Sequence, residues 1–507
     1  MDVRVAPPDA PCASVTFAPH AASSSSASAA APTRRRFLRE LCGGATLVGL
    51  AATGASGCAQ RQTKVPVQLT WFSWGPQYPA QWTVGPGMNQ RFGGGGGPGA
   101  GQPTPVPPEK ILEQQISAFT ADREDVTVKI VTERVDRYHE KLRAFAAAGQ
   151  LPDVLAYDGA QAIPLVRGNV LYNLSRLQGS KIRQFLQNFP ASYLEASSYR
   201  GKLFGVPYQS RQIVLYVNKT VFGGLSLPPQ EWGNPNWTWT HFLEKASTLT
   251  QRSLGGAGRQ FGTLFTGRPF WASLIQQNGG REFNREATRS FFDTPETIEA
   301  IQWAADLVAR YRVAPSEREN PRFANWLFDG GTVAMWPWYQ HSIPLIGQRV
   351  ANFEWDVYPL PMNRKAATYA DWGYLSISQN TVDVDRAWEL LSFLQSPEGD
   401  AAALREGVAG PIQRGTEPSY MIGSSAAKNK AAAIQAAHQP IAFRPQHEAW
   451  DQISSLMDFY LGPVFRGEQK AVYACRELRV VVDGVLAGLE SSKGPAAGSG
   501  AEAPPAD

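Results

Sequence analysis

Flat aromatic rings standing next to polar side chains recur along this 507-residue chain, which carries 15 Trp, 16 Tyr and 24 Phe. Trp336-Pro337-Trp338-Tyr339 closes a strand expected over residues 332–336, and that many rings in four positions are hard to bury completely. Trp372-Gly373-Tyr374 leads into a strand expected over 374–378, and Trp74 ends the first strand, residues 67–74. Tyr157-Asp158 stands at the carboxyl end of a strand over 152–157, the usual mouth of a parallel sheet. Tyr208 and Arg211 precede another apolar run. A sugar offers C–H faces that stack on rings, and hydroxyls that need donors and acceptors together. Trp or Tyr platforms beside Asp or Arg suit it. The plainer readings are core packing for the rings, a helix cap for Asp158 and a simple ion pair for Arg211.

Other chemistries find less support. His139, His241, His341, His438 and His447 include no pair at i, i+4 and no cysteine company, so no metal site is expected. Gly93–Gly97 lacks the Lys-Ser/Thr ending of a phosphate loop, no G-x-S-x-G elbow appears, and no cofactor is expected. Net charge is +4 with no basic run after the first 40 residues, which argues against a nucleic-acid partner.

Positioning these groups falls to alternating strands and helices. A strand at 67–74, a helix at 108–120 with Ile111, Leu112, Ile116 and Phe119 on one face, and the alternating strand Val126–Ile130 form a β-α-β unit. A helix over 136–148, strands over 152–157 and 212–217, a helix begun by Thr294-Pro295, and a helix over 384–395 continue the pattern, so the fold class is α/β. Trp237 and Trp239 precede a helix with Phe242, Ala246 and Leu249 on one face and are expected in the core. Residues 75–108 are rich in Gly and Pro and read as an insertion, and 491–507 as a low-complexity tail.

The amino terminus reads as an address. Arg34-Arg35-Arg36-Phe37-Leu38 precedes a mildly apolar run of 16 residues, Leu41–Ser56, shorter than the roughly 20 that span a bilayer. A twin-arginine signal is expected over 1–57, behind a Ser/Ala-rich leader. Ala55-Ser56-Gly57-Cys58 is similar to a lipobox, so Cys58 is the expected lipidated first residue, with 58–65 as anchor linker. Removing 1–57 leaves a charge of +2 and, with Cys58 lipidated, only Cys475 as a thiol, so no internal disulfide is expected.

Several segments together resemble the family 1 extracellular solute-binding proteins of ABC importers, the maltose-binding group. They are Leu151–Val154, Tyr199–Tyr208, Val214–Lys219, Trp237–Phe242, Asp329–Trp336, Val357–Pro361, Trp372–Tyr374 and Arg386–Leu394. The resemblance implies a type II periplasmic-binding-protein fold: two α/β lobes, each a mainly parallel sheet flanked by helices, joined by about three crossings. These would lie near 207–212, 371–376 and 435–445. The first lobe would span 66–208 and return over 376–435; the second would span 213–371 and return over 445–490. It places Tyr208 and Arg211 at one crossing, Trp372 at another, and Trp271 and Trp450 where relatives supply stacking rings. The implied function is a monomeric, lipid-anchored extracytoplasmic receptor, not an enzyme, that delivers a carbohydrate to membrane permease subunits. Glycerol-phosphate esters or another polar metabolite are the alternative ligands, and a glycan hydrolase with two carboxylates the alternative class.

Overall fold

The computed structural model describes residues 67–73 and 108–491, apart from 134, 252–259, 285–286, 317–318, 320–325, 408–409, 423–426 and 444–446. Trp74, Cys58, the signal segment, most of the Gly/Pro stretch and the tail therefore lie outside the described residues.

Eleven strands are described: β1 Val67–Ser73, β2 Val126–Thr132, β3 Val154–Asp158, β4 Ser198–Tyr199, β5 Lys202–Leu203, β6 Val206–Asn218, β7 Phe261–Thr263, β8 Val333–Tyr339, β9 Trp355–Tyr358, β10 Thr368–Ile377 and β11 Ile441–Phe443. Nine share one sheet in the order β2-β1-β3-β10-β6-β8-β7, with β11 on β10 and β9 on β6, while β4 and β5 form a small hairpin. The first lobe holds β1 parallel to β2 and β3, and β10 runs antiparallel to β3. In the second, β8 is parallel to β7, and β6 runs against both β8 and β9.

Two strands serve both lobes. β6 pairs with β10 up to Gln212 and with β8 from Ile213 onward. β10 pairs with β11 through Thr368–Ala370 and with β3 through Gly373–Ile377, and its register against β6 slips between Asp371 and Gly373. A bulge of this kind bends the strands and raises their local twist, which suits the passage from one lobe to the other.

Alternation explains the second lobe's core. Ile213, Leu215 and Val217 enter one cluster with the helices Arg268–Gln277, Pro295–Ala309, Trp450–Phe465 and Ala471–Ser491. Val214 and Tyr216 enter another with Trp336, Ile343, Val357, Tyr420 and Ala433. Successive side chains of a strand point to opposite faces, so a strand covered on both sides reads as an unbroken apolar run. The first lobe's core gathers Leu69, Trp71, Phe72, Leu155, Leu375 and Leu390. The stretch 376–435 divides its packing, with Leu390 and Leu394 in the first lobe's core and Tyr420, Ala433 and Ala436 in the second lobe's aromatic cluster.

Two strands run longer than their sequence suggests. β6 begins at Val206 because the polar stretch through Arg211 pairs with β10. β8 continues through Pro337, which is tolerated because β7 pairs with it only from Val333 to Met335. Trp237 and Trp239 are buried in the second core, their indole N–H groups donating to the Pro359 carbonyl (3.0 Å) and the Gln277 amide oxygen (2.7 Å). Cys475 is buried in the helix Ala471–Ser491, where desolvation pushes its thiol up to about 12.

Candidate ligand-binding cleft

Register brings most of the singled-out residues together where the lobes share strands. Across β3, β10, β6 and β8, Tyr374 lies opposite both Tyr157 and Pro207, Gly373 opposite Asp158 and Tyr208, Asp371 opposite Arg211, and Tyr339 opposite Ile213. Four segments far apart in sequence thus form one band.

Depth separates them. Tyr157 and Tyr374 are both 0% exposed and stacked at 4.9 Å, and the Tyr374 hydroxyl donates to the Ala196 carbonyl. Burial pushes the Tyr157 hydroxyl far up, so it stays protonated. Gly205 passes so close that a Cβ there would sit 2.6 Å from that oxygen. Tyr208 is likewise buried. Trp336 is wholly buried among Tyr216, Phe328 and Trp338. Trp271 and Trp450 are buried in the second core. Trp372 lies within β10, but its side chain is outside what is described. Asp158, Arg211, Trp338, Tyr339 and Asp371 are only half-buried. Trp338 stacks on Trp336 at 5.4 Å and 14°, and its indole donates to Ser342 Oγ at 3.1 Å, which fixes one ring face as a platform.

A chain of charge-assisted hydrogen bonds leads to Tyr339 through Glu282, Arg268, Tyr369 and Asp371, which sequence reasoning did not single out. Arg268 donates to both Glu282 carboxylate oxygens at 2.9–3.2 Å through Nε and Nη2, and to Tyr369 Oη at 2.7 Å through Nη1. Tyr369 donates to Asp371 Oδ1 at 2.7 Å, and Tyr339 donates to Asp371 Oδ2. The Arg268 guanidinium also lies 4.6 Å from the Trp450 ring centroid and 5.1 Å from that of Tyr369. Burial acts to lower the Arg268 pKa, but Glu282, Tyr369 and Asp371 outweigh it, and the net shift is upward. Burial first, and the Asp371 carboxylate next, hold the Tyr339 hydroxyl protonated as a donor. Beside it, burial and then the Arg211 charge keep His341 well below its usual pKa and hence neutral. Arg268 was within reach of sequence reasoning: it opens a helix directly after Gly267, just past the carboxyl end of β7, where sheets of this kind receive ligands.

A separate cavity of about 370 Å³ lies within the second lobe between the helices Arg268–Gln277 and Trp450–Phe465, lined by Phe265, Arg268, Trp271, Met457, Asp458 and Phe465 among others. Among the described residues, no cluster of His, Cys, Asp and Glu has the makings of a metal site, and no helix is long and apolar enough to cross a membrane.

Two α/β lobes sharing β6 and β10, with rings and charged groups gathered at the shared stretch, define a hinged solute-binding protein. The sequence model of the bacterial extracellular solute-binding protein family matches residues 103–401, and the chain belongs to that family. A Brucella abortus protein known simply as a binding protein is 21% identical over 385 residues, covering 74% of this chain and 89% of its own. Two solved structures share the fold. The sugar-binding protein MalE of Xanthomonas citri (18% identical) has a TM-score of 0.66 over 84% of this chain and 99% of its own. The cyclic α-maltosyl-1,6-maltose-binding protein of Arthrobacter globiformis (19% identical) has a TM-score of 0.65 over 83% and 100%.

Proposed function

We propose that this protein is an extracytoplasmic receptor that captures a carbohydrate, an oligosaccharide in particular, between its lobes and delivers it to ABC permease subunits. The observation that carries the reading is the half-buried Trp338–Tyr339 pair, a ring platform next to a hydroxyl held by Asp371, at the stretch shared by both lobes. Such a group stacks on a sugar face while Tyr339, Asp371, Arg211 and Asp158 address its hydroxyls. Tyr157, Tyr208, Trp336, Tyr374, Trp271 and Trp450 support that surface from behind. Family membership and the sugar ligands of the two structural relatives favour the same reading. Twin-arginine export and a lipid on Cys58 would tether the receptor beside its permease. Calorimetric titration with mono- to tetrasaccharides tests the reading, with heat and a change in tryptophan fluorescence expected for at least one. A panel with no heat and no fluorescence change would sink it.

A further inference from the structure

We infer that Gln212 and Gln340 are positioning residues for the ligand platform, a buried amide pair that ties the turn holding Trp338 to the first lobe. The inference rests on the receptor reading above and adds to its site two residues that touch no ligand.

The pair stands where β6 changes partner. β6 pairs with β10 up to Gln212, and its ladder with β8 ends at Ile213 opposite Tyr339. Gln340 therefore leaves β8 one position beyond the last rung, level with Gln212. Side chains take over where the backbone ladder stops. Gln340 Nε2 donates to Gln212 Oε1, and Gln212 Nε2 donates to Tyr193 Oη at 2.6 Å. Tyr193 belongs to the helix Ala191–Ala196, whose last carbonyl accepts from Tyr374 in the first lobe's core. Tyr193, Gln212 and Gln340 are all 0–1% exposed. Successive side chains of a strand face opposite ways, so Gln212 turns away from the half-buried Arg211 beside it.

What the pair holds is the platform. Gln340 opens the short turn Gln340–Ser342, and Ser342 Oγ accepts from the Trp338 indole, whose ring stacks on Trp336. A line of hydrogen bonds thus runs from a first-lobe helix, across β6, to the turn that sets Trp338. Packing alone would be served by two apolar side chains, whereas paired amides fix one geometry and are costly to separate once buried. Gly410 closes the pair from the returning stretch 376–435. A Cβ there would stand 1.5 Å from Gln340 Nε2 and 3.1 Å from Gln212 Oε1, so any larger residue must displace the Gln340 amide.

The test labels the protein with fluorotryptophan and assigns the Trp338 fluorine signal through Trp338→Phe. Sugar-free spectra are then compared with the Kd of the best-binding member of the mono- to tetrasaccharide panel, both measured well below the unfolding midpoint. Gln340→Met and Gln212→Met keep the side-chain length and remove the amide. Each is expected to shift or broaden the Trp338 signal, to leave those of the core residues Trp237 and Trp239 in place, and to raise the Kd about five- to tenfold. Gly410→Ala is expected to do the same by displacing the amide, and to add nothing in a Gln340→Ala background, where the space is free. The Met variants, close to glutamine in shape, decide the matter if Gly410→Ala fails to fold. A pair that served stability alone would lower the unfolding midpoint and leave both the Trp338 signal and the Kd at wild-type values. That result overturns the inference and leaves the receptor reading intact. If no sugar binds, the receptor reading falls, and the fluorine spectra still decide the role of the pair: a moved Trp338 signal supports it and an unmoved one overturns it.

Discussion

β10 carries two buried tyrosines five positions apart, and their hydroxyls meet different surroundings. On the first-lobe side Tyr374 stacks on Tyr157 and donates to a neutral backbone carbonyl. On the second-lobe side Tyr369 takes a hydrogen bond from Arg268 and gives one to Asp371, which also accepts from Tyr339. The first pair satisfies a buried hydroxyl locally and so fixes packing alone. The second links charged groups on separate elements, so whatever moves one of them is felt by the next. A ring at a strand end marks a ligand surface when polar partners surround it, and a core position when its hydroxyl ends on a carbonyl.

The largest expected effect tests the packing half of that contrast. Tyr157→Ala or Tyr374→Ala should cost about 3–5 kcal/mol of stability in denaturant unfolding, since each empties a fully buried ring site. Tyr157→Phe, which keeps the ring, should leave sugar affinity within about twofold, because the hydroxyl it removes is buried away from the ligand surface. A tenfold loss of affinity in the Phe variant would break the contrast.

Charge buried in the second lobe also makes its stability depend on pH. Burial raises the Asp329 carboxyl to about 6, with Arg349 at 3.3 Å offsetting only part of the rise. An acid whose folded pKa exceeds its unfolded one holds an extra proton in the folded state. Its contribution to stability is therefore present below the unfolded pKa and is lost as pH rises from about 4 to about 6. Asp329→Asn should remove that slope, by at most about 3 kcal/mol at roughly 1.4 kcal/mol per unit. Unfolding midpoints measured from pH 4 to 7 should converge at the acid end and favour the variant at pH 7. Parallel curves would count against a buried, ionising Asp329.

The binding half of the contrast is tested by Trp338→Ala, expected to weaken sugar binding about 10- to 100-fold, or some 1.4–2.7 kcal/mol, by removing the platform. Trp338→Phe should recover part of it. Unchanged affinity in the Ala variant would move the ligand surface away from the second lobe's strand end.

How much of this was legible in the sequence follows from which forces act locally. The helix Val384–Leu394 and its buried Ala387, Leu390, Leu391 and Leu394 were readable because periodicity and a capping Asp383 lie within one segment. The apolar part of β6 was readable too, yet its first half, a polar run through Tyr208 and Arg211, shows itself as strand only once β10 lies beside it. The aromatic strand ends Tyr157 and Trp336 could be placed, but not their depth, because the groups that seal them, Tyr374 and Ala196 for one and Tyr216 and Phe328 for the other, are remote in sequence. Arg268 and Asp371 gain meaning only together, 101 positions separating Arg268 from the tyrosine that bridges them.

The smallest expected effect concerns an ion pair that joins the first-lobe helix Ala162–Arg167 to the second lobe outside the shared strands. Arg167 is bonded to Glu448, with side-chain exposures of 42% and 17%. An exposed pair of this sort contributes about 0–1 kcal/mol, because water screens it and two long side chains must be held in place. If the pair breaks when the lobes open, whatever it contributes falls on the closed form and appears in ligand affinity rather than in the stability of either lobe. Arg167→Ala should therefore raise the sugar Kd about two- to fivefold at low salt, with little change in the unfolding midpoint, and the loss should shrink at high salt as the pair is screened. Combining it with Glu448→Ala should add nothing further if the two residues act as a pair. Additive losses would instead assign each residue its own contact.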